Sequence, residues 1–312
     1  MIKTSNNTKG ILLALSAALV VSNVYIFSKA ALNEVHLAQF GFYWFGLGII
    51  WNLIYIASNR KYRLIANIPK RSLQALAVIA VLEMFGTVFF FISIKTISNP
   101  AVVSFLANIN PLFVTAMGIF ILKEKFNYIE FFGMFILLSG TVIISLTGSG
   151  KIDKVLIPGV EYVLLSGLIF SFATVIAKKQ IVYIDASFLA LSRILLLFIL
   201  SAVSIIAFEL PFNISSSAFG YISIGSVLGP FLTAILGYSA LKYIEVSKAT
   251  MVRSVRSLFV LVGAFVYFES LPTFWQIVGG ILTISGVIFI SLGKLKLRKN
   301  SRPEILKAKN KA

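Results

Sequence analysis

Apolar runs long enough to cross a bilayer recur ten times along this chain, and that repetition leaves few folds open to it. They lie at about residues 10–29, 37–57, 73–94, 101–122, 128–147, 158–177, 187–208, 218–240, 248–268 and 274–292. Each is close to the ~20 residues an α-helix needs to span hydrocarbon. Turn residues and charges separate them, among them Asn59-Arg60-Lys61, Asn99-Pro100, Lys123-Glu124-Lys125, Gly148-Ser149-Gly150, Pro211 and Pro272. The first run follows Lys3 and Lys9, as the core of a signal peptide would. It is long for such a core and nine more runs follow, so it reads as a membrane helix. With 58% hydrophobic and 12% charged residues, the whole chain has the composition of a polytopic membrane protein.

The formal charge of +17 invites a nucleic-acid reading, but the basic residues lie between or after the apolar runs and not on one soluble face. They serve instead to orient the chain. With the N-terminus in the cytoplasm, inside segments hold 21 Lys and Arg and outside segments hold 4 (Lys29, Lys95, Lys151 and Lys154). Both termini are therefore expected in the cytoplasm. The basic tail after Leu292 reads as a solvated or lipid-surface extension. Cysteine is absent and His36 is the single histidine, which excludes disulfides, thiol nucleophiles, Cys-based metal sites and a His cluster.

The two halves repeat. VLEMFGT at 81–87 matches VLGPFLT at 227–233, KTIS at 95–98 matches KYIE at 242–245, and ILKEKF at 121–126 faces VYFESL at 266–271. LLSGTVIISL at 137–146 faces LTISGVIFISL at 282–292. The offset stays near 146 residues, and an odd number of spans per half turns the second half upside down in the membrane. Inverted repeats are a common build for secondary transporters, with the binding site near mid-membrane between them. The expected organisation is an all-α polytopic protein of ten transmembrane helices. It comprises a cytoplasmic N-terminus (1–9), a first five-helix repeat (10–147), a linker (148–157), a second repeat (158–292) and a basic cytoplasmic tail (293–312).

On these residues the chain resembles the EamA-type transporters of the drug/metabolite transporter superfamily, over roughly 10–292. Pro111 to Glu124, then Gly133 and Ser139-Gly140, match the family pattern of a Pro or polar residue, a closing Glu and a small-Gly pair. The second half departs from it. Arg256 or Ser257 stands where Pro is usual, and one residue is inserted between Glu269 and Gly279. Arg193 matches an arginine common at its place, where the first half has Tyr43. The resemblance implies ten helices around a central cavity and transport, often efflux, of small metabolites, without fixing the substrate.

Charges inside the spans are the candidates for chemistry, because each is costly unless it faces a protein interior or a watery cavity. At ~1.5 Å per residue from the cytoplasmic ends, Arg253 and Arg193 lie about 9 Å deep, Arg256 about 14 Å and Glu83 about 16 Å. Arg253 and Arg193 either snorkel to headgroups or face the cavity. Arg256 either lines the cavity or pairs with Glu83 at similar depth. In the functional reading, Arg256 and Arg253 offer a planar fork of donors to a carboxylate or other anion. Glu83 then balances charge or carries a coupled proton, and a proton gradient is the candidate energy source.

Asn108 and Asn110 lie in the fourth run, the symmetry mate of the arginine-bearing ninth, and read either as binding groups or as interhelical glue. Tyr25, Tyr43, Trp44 and Tyr238 are aromatic candidates for substrate contact or for packing. Pro111, Gly229 and Pro230 are hinge candidates, the last two within a small-residue stripe of Gly225, Gly229, Thr233 and Gly237. Glu124 and Glu269 read as capping or loop-pairing residues, and His36 as a solvated loop residue.

The expected function is secondary transport, with export as the direction, of a small anionic or zwitterionic metabolite such as an amino acid or organic acid. Alternating access is the expected mechanism and a bacterial cytoplasmic (inner) membrane the expected location. The expected partners are lipid and a small solute, without cofactor or metal and with the oligomeric state open. Broad efflux of amphipathic compounds is the alternative within transport. A membrane-embedded transferase is the alternative in another class; such enzymes usually place carboxylate or histidine pairs near the interface, whereas Glu83 stands alone in mid-membrane. The chain has no phosphate-cradling glycine loop, which argues against ATP-driven pumping.

Overall fold

Hydrocarbon offers no partner to a backbone N–H or C=O, so a chain of apolar runs must satisfy those groups within helices. The computed structural model does so. It describes residues 6–122, 127–147 and 157–309, and among these every regular element is helical. Glu124, the linker residues 148–156 and both extreme ends lie outside the described residues.

The helices are α1 (Asn6–Glu34), α2 (Leu37–Ser58), α3 (Lys70–Thr96), α4 (Pro100–Leu106), α5 (Asn110–Leu122), α6 (Tyr128–Leu146) and α7 (Val160–Gln180). They continue with α8 (Ala186–Ala207), α9 (Ser216–Ser226), α10 (Ala234–Tyr243), α11 (Val246–Ser254), α12 (Arg256–Phe268) and α13 (Phe274–Lys309). Among the described residues, nine helical stretches are long and apolar enough to cross a membrane. The tenth expected span is a shorter apolar helix, Phe274–Ile290, and the helical backbone runs on through the expected tail to Lys309. Residues 6–9, expected to precede the first helix, already belong to α1.

Three spans that the sequence presents as unbroken are interrupted. The fourth tightens to a 3-10 turn at Ala107–Ile109 between α4 and α5. The ninth breaks at Val255, between α11 and α12. The eighth widens to a π-helical segment at Val227–Thr233, between α9 and α10 and around Pro230, whose ring cannot donate to the ladder.

Packing pairs each half against the other. Helix α6 lies along α13, α2 along α8 and α4 along α12. Helix α3 packs on α7 just as the α9–α10 span packs on α1. The α6–α13 seam is tight. A side chain at Gly140 would meet the backbone of Gly279 and Thr283, and one at Gly133 would meet Ile290 and Gly286. The register runs antiparallel: as the numbering rises from 133 to 140 on α6, it falls from 290 to 279 on α13. Contacts of Gly41 with Ser201 and of Gly48 with Ile194 make α2 and α8 antiparallel too.

Lysines tie helix ends at both poles. Lys29 on α1 donates to the carbonyls of Ile94, Lys95 and Ile97 at the end of α3. Lys178 on α7 donates to Leu241 and Ile244 at the end of α10. Orphan carbonyls at a helix C-terminus favour a cation. Entry into α6 is fixed by a reciprocal Asn127/Glu130 capping box, and into α13 by Thr273 and Gln276. His36, read from sequence as merely solvated, caps α2 together with Gln39. Glu269 closes α12 in a left-handed conformation, φ 51°.

Asp185 joins three elements. It caps α8 through the Ser187 N–H, pairs with Lys61 at 2.8 Å and reaches Lys242 at 3.4 Å. Burial pushes its carboxyl up, but the Lys61 hydrogen bond and the Ser187 backbone and hydroxyl outweigh that and hold it down at about 2. Burial pushes the Lys61 ammonium down, and Asp185 more than restores it, so it ends raised. A depressed carboxyl stabilises the fold above the ordinary carboxylate pKa of ~3.9 and loses that contribution as pH falls through the folded value. A raised lysine contributes fully below ~10.4 and loses its share above that. Asp185→Asn is therefore expected to lower the thermal midpoint of the purified protein by the same amount at pH 5.5 and pH 8.5. A penalty that shrinks at pH 5.5 would contradict the assignment.

Candidate functional site

The interrupted spans converge on a cavity inside the bundle. Two adjoining chambers, of about 120 and 130 Å³, share six lining residues: Asn110, Phe170, Arg193, Thr233, Arg253 and Arg256. These form a waist. The first chamber adds Glu83, Tyr238, Thr174 and Thr250. The second is walled by Tyr25, Trp44, Phe45, Phe90 and Phe91, with Thr87 among them. Helices α6 and α13 contribute no lining residue; they hold the two halves together from behind.

Each waist residue owes its place to a helix break or a helix face. Asn110 opens α5 directly after the 3-10 turn, and Arg256 opens α12 directly after the break at Val255. Arg253 stands one turn earlier, at the end of α11. Arg193 projects from α8, and Thr233 ends the π-helical segment.

The charges are arranged differently from the sequence expectation. Glu83 does not pair with Arg256. Its Oε2 accepts from Arg193 Nη1 at 3.1 Å, and its Oε1 accepts from the Tyr238 hydroxyl at 3.0 Å. Arg193 accordingly does not snorkel. Arg256, 7% exposed, donates from Nη2 to the Ala107 carbonyl at 3.2 Å. That carbonyl lies in the 3-10 turn of the fourth span, so the two breaks are stitched together across the cavity. The Nε atoms of Arg193, Arg253 and Arg256 have no hydrogen-bond partner, nor do Asn110 Oδ1, Thr233 Oγ1 and Thr87 Oγ1. Buried polar groups are almost always bonded. Six unmet groups around one cavity mark a place built for a polar guest or for water.

The other sequence candidates separate cleanly. Tyr25, Trp44 and Tyr238 line the chambers. Tyr43 does not: its hydroxyl donates to the Phe212 carbonyl in the loop before α9. Successive helical residues point about 100° apart, so Trp44 turns inward where Tyr43 cannot. Asn108 is fully buried behind the wall, bonded to Thr283 and Ser257, and acts as glue between helices. Asn110, two residues on, faces the cavity. Pro111 lines the first chamber at the start of α5, while Gly229 and Pro230 line the second. A side chain at Gly225 or Gly229 would collide with the Trp44 ring, so the glycines form its notch.

Sequence reasoning gave no weight to Thr87, Phe170 and the waist face of Thr233, and it placed Arg193 too shallow to reach Glu83. The signal for that pair was there, since Arg193 and Glu83 are opposite charges each set deep in a span. Depth counted along straight, separate helices hid it.

The architecture is that of a multi-pass membrane protein with a polar internal cavity. The comparisons agree. The EamA-like transporter family matches residues 8–146 and again 157–292, and the chain belongs to that family. An uncharacterized transporter from Archaeoglobus fulgidus is 23% identical over 284 residues, covering 90% of this chain and 96% of that protein. A solved crystal structure with 18% identity covers 92% of this chain and 98% of its own, with a TM-score of 0.67, and supports the fold. The protein is a membrane transporter.

Breaking the Glu83–Arg193 pair from one side leaves a buried charge uncompensated, at a cost of about 3 kcal/mol. Arg193→Gln is therefore expected to destabilise the purified protein strongly. The double variant Glu83→Gln/Arg193→Gln is expected to recover much of the loss in a denaturation series. Losses that simply add would show that the two side chains are not coupled.

Proposed function

We propose that this protein exports a small anionic or zwitterionic metabolite, such as an amino acid or organic acid, by alternating access between two inverted five-helix repeats. The observation that carries the reading is the waist: three arginines meet at one place, with their Nε atoms unpartnered and a single carboxylate beside them. A guanidinium in a membrane interior is retained where it meets a partner or a cavity, and its planar fork suits a carboxylate. The repeat reading is supported by the two matches to one family, by the antiparallel α6–α13 and α2–α8 pairs, and by the corresponding Lys29 and Lys178 caps. Repeat boundaries at 10–147 and 158–292, ten spans and cytoplasmic termini follow from it and from the charge bias. A cytoplasmic membrane is the proposed location, and the family's archaeal relative leaves the kind of cell open.

Glu83 is the proposed coupling group. A proton on it would weaken its hold on Arg193 and free that guanidinium for solute, which links the proton gradient to binding. A second reading, broad efflux of amphipathic compounds, draws on the aromatic second chamber.

Comparing metabolites in the medium of cells that express wild type or Arg256→Gln at matched membrane levels separates these readings. One solute class is expected to accumulate outside with wild type and to fall about tenfold with the variant, a difference of ~1.4 kcal/mol in recognition. Equal export by both would make Arg256 structural and favour broad efflux. Accumulation with neither would remove export. In membrane vesicles, Glu83→Gln is expected to abolish the response of transport to an imposed pH gradient; a full response would remove Glu83 from coupling.

A further inference from the structure

The waist holds more positive charge than the protein itself balances. Arg193, Arg253 and Arg256 meet there, and among the described residues Glu83 is the one carboxylate lining either chamber. Glu83 is taken up by Arg193 and Tyr238. Arg256 is bonded to a neutral carbonyl, which cancels no charge. Two guanidinium charges remain without a counter-ion, between low-dielectric walls where such charge is expensive. A zwitterion brings no net charge to this place, and a monocarboxylate cancels one of the two. A solute with two negative charges cancels both.

We infer that the transported solute is a divalent anion, a dicarboxylate or a phosphate monoester, with its charge held between Arg253 and Arg256 and its body in the aromatic second chamber. The inference rests on the transport reading above and narrows its solute class. The three free Nε–H groups and the Thr233 hydroxyl are four donors, enough to fill every acceptor position of one carboxylate, whereas two carboxylates or a phosphate accept them with oxygens to spare. Tyr25, Trp44, Phe90 and Phe91 offer ring faces to a compact apolar or aromatic body.

Matched ligand pairs test this on the purified full-length protein at pH 8. Phenyl phosphate and phenyl sulfate share a shape but carry close to two charges and one charge. Succinate and succinamate make the same comparison for carboxylates, and phenylalanine serves as the zwitterion. Affinity is read from ligand-induced thermal stabilisation. The divalent member of at least one pair is expected to bind about tenfold tighter than its monovalent partner. Arg253→Gln is expected to bring that ratio close to one, while Arg253→Lys, which keeps the charge, retains it. A response in one pair alone identifies the head group as phosphate or dicarboxylate. Equal binding within both pairs, or tightest binding of phenylalanine, overturns the divalent-anion inference and leaves selective transport standing. Binding of none of the five, in a protein whose export still depends on Arg256, overturns it as well. Loss of Arg256 dependence in cells sinks the selective-transport reading instead and favours broad efflux, so the two failures are distinguishable.

Discussion

A guanidinium is stable inside a membrane only where protein or water meets it, and this fold is arranged around that constraint. Arg193, Arg253 and Arg256 come from α8, α11 and α12, and the groups that answer two of them come from elsewhere: Glu83 of α3, itself held by Tyr238 of α10, answers Arg193, and the Ala107 carbonyl of the broken fourth span answers Arg256. The charged cluster thereby requires those elements to share one interior. The glycine seam between α6 and α13 does the complementary work. It packs two helices with no polar group facing the cavity and leaves the remaining spans to enclose it.

Correspondence between the halves is close in scaffolding and abandoned at the site. Lys29 and Lys178 cap corresponding helix ends, and Asn127/Glu130 and Thr273/Gln276 cap corresponding helix starts. At the cavity, Trp44 on α2 packs against Gly229 of the eighth span. Across the cavity, Arg193 on α8 pairs with Glu83 of α3, the residue that the repeat aligns with Gly229. One place thus holds an aromatic ring in a glycine notch and its counterpart holds an ion pair. That substitution alone gives the cavity an aromatic end and a charged end, which a strictly duplicated protein would lack. It also accounts for Glu83 having no acidic counterpart at residue 229.

Much of this was legible in the sequence, for physical reasons that also explain the rest. Span positions were readable because hydrocarbon imposes a length and a polarity on each helix. Arg253, Arg256 and Asn110 stood out because a polar group at that depth needs a reason. What composition and spacing do not encode is rotation and bending. Tyr43 and Trp44 are neighbours in sequence, yet Trp44 lines the cavity and Tyr43 does not. Asn108 and Asn110 differ in role because a 3-10 turn between α4 and α5 resets the helix face, and nothing in FLANINP announces that turn except the proline. The Arg193–Glu83 pair was hidden because the two residues lie on different helices, and an arginine stem spans the difference in depth that separate counting suggests.

The breaks and the binding groups coincide, and under the alternating-access reading that coincidence is mechanistic. A continuous hydrogen-bonded helix bends reluctantly, so motion concentrates where the ladder is already altered. Here those places are the 3-10 turn before Asn110, the break before Arg256 and the π-helical segment around Pro230. Arg256 bridges the first two through Ala107. Asn52 on α2 touches the third, donating to the Pro230 carbonyl, while Gly48 leaves room for the proline ring. A solute that draws Arg256 toward itself competes with the Ala107 carbonyl for the same guanidinium, and so loosens the stitch between the two broken spans. Ligand occupancy and helix geometry then share one side chain. Recognition and movement need no long pathway between them, because the residue that reads the charge is also the one that holds the hinge.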